Sequence, residues 1–452
     1  MSASSQPSSP WTHKNGLPQT PEEWRLGPLP PSISLFAMAG ALGLLTGVTA
    51  FVLKQAIKWL SLALTSHFHP DGANWVLLFI PLIGILFAVA IQKYVARRRL
   101  QHGVDQMEGF MRRTDDKLPT QFIWGPLLAS TFTLGFGGSA GAEGPIATSG
   151  ASLGSYLGRK FNLPPRLVMI LIACGAGAGI AGIFKAPIGG VMFTVEVLAF
   201  NLATVPLIAL IIACLISGMT ALALSGFTLD VPLQHVQHFD PSMCGWLIVL
   251  GVFCGLYSLY YNRVGKTVKT LFMKAGGAWP VAIASGLILS GLVFVFPALY
   301  GEGYSTMARI IDGDLDAMVR YSVFNLNGVT PGLTVMVLIC GGIALAKPAA
   351  TIATNSGGGV AGDFAPTLFA GCMTGIFFAS VLNDIFGLGI PVNNFALSAM
   401  AAVMAGVIEA PLMAIFIVIE MTGYVDMTFP VMLTAGVSYG TVLLTRKISR
   451  RS

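Results

Sequence analysis

Long apolar runs, separated by short polar linkers, repeat along this chain of 452 residues. They reach or approach the length of about 20 residues that a helix needs to cross a bilayer. The runs are 34–53, 75–91, 205–224, 246–261, 281–297, 334–346 and 431–444. Several are short and interrupted by Gly or Pro, so some helices are predicted to cross only part of the membrane. The linkers are too short to cover these helices with polar surface, which argues against a large soluble protein.

Composition supports the same class of protein. Hydrophobic residues make up 54% of the chain and charged residues only 10%, and the mean hydropathy is +0.74. A soluble enzyme of this length carries more charge than that. We therefore expect an integral, multi-pass membrane protein in contact with lipid.

Basic residues cluster beside the apolar runs, at 93–99, 112–117, 159–166, 263–274 and 446–451. The net charge of +6 therefore reflects membrane orientation rather than binding to nucleic acid. No Lys or Arg lies between Lys185 and Arg263. The positive-inside rule places the basic clusters in the cytoplasm and the polar loop at 230–240 outside. Both termini are then predicted to be cytoplasmic, and a bacterial inner (plasma) membrane is the expected location.

The ends of the chain are polar. Residues 1–31 are rich in Pro and Ser and lack the pattern of a secretory signal; they predict a cytoplasmic segment with a short interfacial helix at 21–26. Residues 446–452 form a basic cytoplasmic tail. The six cysteines stand singly in apolar segments, without the spacing of a disulfide or metal site, so no metal and no cofactor are expected.

One motif occurs twice, about half the chain apart. Lys185-Ala186-Pro187 is followed by an apolar run and Glu196, and Glu409-Ala410-Pro411 by an apolar run and Glu420. In both copies a proline suited to a helix start precedes a carboxylate nine positions later. The same motif therefore stands in both halves of the chain.

The second pair is Gly141-Ala142-Glu143-Gly144-Pro145 and Gly362-Asp363-Phe364-Ala365-Pro366. Two matched pairs at nearly one offset indicate an internal duplication. Duplicated halves with helices interrupted by Gly and Pro are typical of transporter folds. We predict an all-α membrane protein of two inverted repeats, about 32–227 and 241–445, within a transmembrane domain at 32–445.

The first glycine-rich stretch predicts an anion site. Glycines let the backbone approach a ligand closely, and Pro145 suits the first turn of a helix. A helix that begins inside the membrane directs unpaired N–H groups and its positive end, here including Gly144, toward a cavity. Glu143 at this end competes with an anion for the same field. We interpret it as a gate that blocks the path when ionised and moves away when protonated.

The second stretch repeats this design. The amides of Asp363, Phe364 and Ala365, with the Phe364 ring, are predicted to face the same central site from the other repeat. A carboxylate directed at an anion would repel it. We therefore expect the Asp363 side chain to point elsewhere, for example to cap the following helix.

With these motifs the chain resembles the CLC family of chloride channels and proton/chloride exchangers, in the form without cytoplasmic CBS domains. The resemblance spans about 32–445 and rests on the stretches that end at Pro145 and Pro366, together with Ala186-Pro187 and Glu196. It implies the CLC fold, half-helices that meet near the membrane midplane, and a homodimer with one anion path in each subunit. Chloride or a similar small anion is the expected substrate.

Three positions depart from the family pattern. Ala142 stands where relatives usually carry a basic residue. His102, followed by Gly103, replaces the serine whose hydroxyl contacts the central anion; either the imidazole or backbone amides alone would bind the anion. In the family, a central tyrosine follows the second Glu-Met-Thr. In this chain Glu420-Met421-Thr422 is followed by Tyr424, which is the candidate, although the matching position falls on Val425.

A further departure bears on mechanism. Related exchangers carry an inner glutamate directly after the position of Glu196, and this chain has Val197 there. Protons that cross an apolar interior need titratable groups. Passive anion conduction gated by Glu143 is therefore the first hypothesis for the function, and proton-coupled anion exchange is the alternative. An enzyme is not expected: Gly137 to Gly141 fits a nucleophile-elbow pattern, but no preceding strand or His–acid pair accompanies it.

Overall fold

The computed structural model describes residues 30–68, 73–100, 117–200, 203–229, 231, 236–274, 276–324 and 332–449. In the first half the helices are α1 Pro31–Thr65, α2 Ile80–Ala90, α3 Gln121–Gly135, α4 Glu143–Lys160, α5 Pro165–Phe184, α6 Pro187–Glu196 and α7 Thr204–Leu224. In the second half they are α8 Cys244–Lys274, α9 Ala278–Val295, α10 Tyr304–Ile311, α11 Leu333–Ser356, α12 Phe364–Phe386, α13 Val392–Ile408, α14 Pro411–Thr422 and α15 Thr428–Ser449. The helix predicted at 21–26 lies outside the described residues.

Helical spans account for all seven apolar runs. Among the described residues, nine helices are long and apolar enough to cross a membrane. The two that the runs did not include are Pro165–Phe184 and Phe364–Phe386. Their most apolar windows are 89% and 72% buried inside the protein, whereas those of the other seven are 33–56% buried. These two helices thus form the centre, and the others surround them with apolar faces suited to lipid.

Helices α6 and α14 begin in the same way, as the repeated motif predicts. Lys185 and Glu409, which end the preceding helices, both adopt the left-handed conformation, with φ of 54° and 64°. The next residues, Ala186 and Ala410, match closely at φ −125°, ψ 82° and φ −126°, ψ 80°. One local backbone structure is therefore built twice, as expected for an all-α fold of two inverted repeats.

The two copies also complete each other. The Glu196 carboxylate, at the end of α6, accepts hydrogen bonds from the N–H groups of Leu412 (3.1 Å) and Met413 (2.7 Å) at the start of α14. Each such bond satisfies an amide that a helix start leaves without an intrahelical partner. The carboxylate also faces the positive end of the helix dipole. Glu196 is therefore a helix-capping residue.

Glu420 makes the mirror-image contact. Its carboxylate, near the end of α14, accepts from the N–H groups of Ile188 (3.1 Å) and Gly189 (2.8 Å) at the start of α6. The nine-residue interval between proline and carboxylate is what brings each acid to the far end of its own short helix. Both halves of the chain are thereby tied together next to the central helices.

Candidate functional site

The two glycine-rich stretches meet through Gly141 and Gly362. Each donates its N–H to the carbonyl oxygen of the other, at 3.0 Å from Gly141 and 2.7 Å from Gly362, which forms an isolated antiparallel bridge. Helix α4 begins at Glu143 and helix α12 at Phe364, within two residues of this bridge. The N-termini of the two half-helices therefore converge on one place, as the duplicated motif predicts.

Glu143 lies between these helix starts. Its side chain is 1% exposed, and its Oε1 accepts hydrogen bonds from the N–H groups of Phe364 (2.5 Å) and Ala365 (3.4 Å). These are two of the amides that the sequence predicts for an anion. A carboxylate from the first half thus occupies an anion position formed by the second half, which is the geometry that a competing gate requires.

The bridge must consist of glycines because the Glu143 side chain passes directly over it. A Cβ atom at Gly141 would come within 2.0 Å of Glu143 Oε2, and one at Gly362 within 2.4 Å of Glu143 Oε1. Both distances are far below van der Waals contact. Glycine at these two positions therefore leaves room for the carboxylate rather than supplying an unusual backbone angle, since neither residue has a positive φ.

Two other predicted site residues lie close to the bridge. Phe364 is 4% exposed, and its ring packs edge-on against that of Phe193 in α6, with 5.8 Å between centroids. Gly144 lies in the first turn of α4, where its Cα faces the backbone of Ala361 and Gly362. The ring of Phe364 thus closes one side of the site, and Gly144 contributes backbone to it.

Asp363 behaves differently from the prediction in one respect. Its side chain makes no cap on helix α12; instead its Oδ1 accepts a hydrogen bond from Asn355 Nδ2 at 2.6 Å. The suggested capping role is wrong, because the carboxylate turns back toward the end of α11. The expectation that this side chain does not occupy the anion position beside Phe364 agrees with the geometry, since Glu143 fills that position.

Tyr424 follows the end of α14. Its neighbours in the chain contact a second segment: Gly423 faces Leu229, and Asp426 lies 3.4 Å from His238. Tyr424 itself packs against the hydrophobic core. Its assignment to the anion site stays a prediction. His102 and Gly103 lie outside the described residues.

Sequence reasoning missed Lys347. This lysine is 0% exposed; its Nζ donates to Ser139 Oγ at 2.9 Å and lies 4.7 Å from the centroid of the Phe369 ring. Its charge interacts with those of Glu302 and Glu143. Glu302 Oε1 in turn accepts from the N–H of Ala142 at 3.0 Å.

The structure therefore places a basic side chain near Glu143 although Ala142 supplies none. Its contact with Ser139 could not be predicted from the sequence, because the two residues lie 208 positions apart. A lysine directly after an apolar run was a hint, since a charged residue in such a place is costly and usually has a function or a partner.

Comparisons with known proteins agree with this architecture. The sequence model of the family described as voltage gated chloride channel matches residues 83–443. A Ralstonia nicotianae relative with the provisional name "chloride channel protein ClcB-like" is 27% identical, over 90% of this chain and 93% of its own. An H(+)/Cl(−) exchange transporter, ClcA, of Yersinia pestis is 26% identical, over 88% and 82%.

Solved structures show the same fold. A slow cyanobacterial Cl−/H+ antiporter aligns with a TM-score of 0.70 and 24% identity, covering 91% of this chain and 94% of the other. A CLC-type fluoride/proton antiporter aligns with a TM-score of 0.72 and 24% identity, covering 90% and 95%. The helical order described above is therefore that of an established membrane-transport fold.

Proposed function

Because this chain belongs to the voltage gated chloride channel (CLC) family, which transports anions, we propose that it exchanges chloride or a similar small anion for protons across the membrane. Glu143 serves as the gate. The anion is held by N–H groups at the starts of α4 and α12, including those of Phe364 and Ala365.

One observation carries this proposal: the Glu143 carboxylate accepts hydrogen bonds from the amides of Phe364 and Ala365. A carboxylate and a halide compete for the same donors. Protonation removes the negative charge of Glu143 and weakens its hold on these amides, because bonds to an ionised acceptor are the stronger ones. An anion then replaces the side chain, and proton binding and anion binding become linked.

Proton-coupled exchange is the alternative hypothesis from the sequence, and the named relatives support it more than they support passive conduction. Yersinia pestis ClcA is an H(+)/Cl(−) exchange transporter and matches most of the chain. The Ralstonia nicotianae relative is named as a channel. Passive conduction therefore stays as the second candidate, and the specific observation in its favour is Val197, an apolar residue at the position of the inner glutamate.

Coupled flux in liposomes tests the proposal. The purified full chain is reconstituted into vesicles, the membrane potential is clamped near zero with valinomycin and potassium, and an outward chloride gradient is imposed with no pH gradient. Exchange predicts that chloride efflux drives protons inward, against the pH gradient that this movement creates. A pH-sensitive dye inside the vesicles and a chloride electrode outside record the two fluxes together.

The outcomes separate the candidates. Proton uptake that stops when Glu143 is replaced by Gln supports exchange. Chloride efflux without proton movement in the unsubstituted protein refutes exchange and supports passive conduction. If neither ion moves, while a panel of fluoride, bromide and nitrate gradients does produce flux, chloride is not the transported anion.

Assembly and orientation are part of the proposal. We propose a homodimer with an anion path in each subunit, as the resemblance implies, in a bacterial inner membrane with both termini in the cytoplasm. Thiol labelling of single cysteines, introduced in the polar loop near His238 and in the basic segment near Lys447, tests the orientation in intact cells. A membrane-impermeant reagent should label only the first of the two.

A further inference from the structure

Asp363 is hydrogen-bonded to Asn355, a residue that lines a cavity. It directly precedes α12, is half-buried, and its Oδ1 accepts from Asn355 Nδ2 at 2.6 Å. An aspartate at this position commonly caps its own helix, but this one does not. An ionisable residue inside a membrane domain is costly, so a function is the default hypothesis for it.

The cavity beside Asn355 has a volume of about 790 Å³. Its lining includes Asn355 and Gly358, near the end of α11, and the basic residues Lys93, Arg97 and Lys269. The positive-inside rule assigns these basic residues to the cytoplasm. A cavity of this size, with charged and amide groups in its lining, can hold water. Cytoplasmic water can therefore reach the side-chain amide to which Asp363 is bound.

Glu143 lies near Asp363 as well. The charges of the two carboxylates interact, and Glu143 Oε1 accepts from the N–H of Phe364, the residue that follows Asp363. Two carboxylates near one another exchange protons readily when a hydroxyl or water molecule bridges them, since such a group both donates and accepts hydrogen bonds.

Hydroxyl groups suited to this role are present. Tyr261 in α8 is 2% exposed and Thr351 in α11 is 0% exposed. The two hydroxyls lie close enough to interact with each other, and neither has a second hydrogen-bond partner among the described residues. The Tyr261 phenol also interacts with the charges of Asp363 and Glu143. A hydroxyl can both donate and accept hydrogen bonds, so each of the two retains capacity to bond a water molecule.

We propose that Asp363 is the proton station on the cytoplasmic side, in place of the inner glutamate that Val197 lacks. The Asp363 carboxylate takes a proton from water in the cavity and passes it, through the hydroxyl of Tyr261 or Thr351 or through a water molecule between them, to the Glu143 carboxylate. Glu143 then releases the amides to the anion and gives the proton up on the other side. This inference rests on the proposed exchange function.

Charged and titratable groups surround this route from each neighbouring element. Glu143 comes from α4, Tyr261 from α8, and Lys347 from α11. Glu302 lies in the loop before α10, and its charge and that of Lys347 interact with each other and with Glu143. The cation and Glu302 thus act on the Glu143 end of the route, whereas Asn355 bonds the Asp363 end.

The test uses the coupled-flux assay on the full chain. Asp363→Asn keeps the size of the side chain and an acceptor for Asn355 but does not titrate. Proton uptake driven by chloride should fall to the level of protein-free vesicles, and chloride flux recorded in the same vesicles gives the reference for this loss. Asp363→Glu, which restores a titratable group, should recover proton uptake. Recovery of proton uptake in Asp363→Glu is a readout that a merely structural role of Asp363 would not give.

A second variant keeps the test possible if the Asp363→Asn protein transports no chloride. Tyr261→Phe combined with Thr351→Val removes both hydroxyls at nearly constant volume and should slow proton uptake more than chloride flux. Wild-type proton-to-chloride ratios in Asp363→Asn, or in this double variant if Asp363→Asn is inactive, would overturn the assignment. Absence of proton uptake in the unsubstituted protein is a separate result: it refutes exchange itself.

Discussion

Glu143 and Phe364, from opposite halves of the chain, are joined by a hydrogen bond of 2.5 Å from the Phe364 N–H to Glu143 Oε1. Through this bond the Glu143 carboxylate occupies the helix start at which we propose that the anion binds. Replacing Glu143 by Gln should remove the competition between charges. We expect anion flux that no longer responds to external pH, measured in liposomes by chloride efflux from acidic to alkaline external pH.

A matched control for this variant is Glu409→Gln. Glu409 is a half-exposed acid that pairs with Arg446 at the surface, so its loss changes the net charge equally without touching the amides. Its pH response should equal that of the unsubstituted protein. Retention of the normal response in Glu143→Gln would remove Glu143 from the gate.

Gly362→Ala should displace the gate without removing its charge. The new Cβ atom would meet Glu143 Oε1 at 2.4 Å, and the long side chain is the partner that can move. We expect faster anion flux at neutral pH than in the unsubstituted protein, since the carboxylate no longer covers the Phe364 amide. Stopped-flow chloride efflux measures this change.

Gly291→Ala in α9 is the control for that substitution, because a Cβ atom there has no neighbour within 4 Å. It should leave the efflux rate unchanged. Slower flux in Gly362→Ala than in Gly291→Ala, with both proteins folded, would contradict the position assigned to the carboxylate.

Loss of either reciprocal cap should destabilise the fold to a similar degree. Glu196→Ala and Glu420→Ala each remove two hydrogen bonds to a helix start. Removal of a cap costs about 0.5–2 kcal/mol, so the melting temperature in detergent should fall in both variants. Glu409→Ala, which breaks only a surface ion pair, should change stability by about 0–1 kcal/mol. A large fall in one cap variant alone would contradict the equivalence of the two caps.

Replacing Lys347 by a neutral residue should destabilise the protein. Lys347→Met keeps the length of the side chain but leaves the charges of Glu302 and Glu143 without their buried cation. Removal of one partner from a buried charge network destabilises a protein by about 3–5 kcal/mol. Thermal unfolding should show this loss, and the double variant Lys347→Met with Glu302→Gln should recover part of it. If the two substitutions are simply additive, Lys347 and Glu302 do not act as a pair.

Much of the fold could be predicted because the decisive signals are local. Proline positions, glycine-rich stretches and the interval from Pro187 to Glu196 determine where helices begin and what reaches their ends. The same reasoning identified Glu143, since the helix start that it occupies is marked by Pro145 in the next turn. The amides of Phe364 and Ala365 followed from the repeat of that pattern.

What could not be predicted depends on contacts between distant segments. Lys347 reaches Ser139, and Asp363 turns to Asn355, for reasons that only the packed helices reveal. Spacing identifies a motif and leaves the direction of its side chains open.

The exchange of caps between Glu196 and Glu420 also bears on biosynthesis. A ribosome that has inserted only α1 to α7 has made the amides of Ile188 and Gly189 but not the acid that binds them, which appears more than two hundred residues later. The start of α6 therefore reaches its final hydrogen bonding only after α14 has been synthesised.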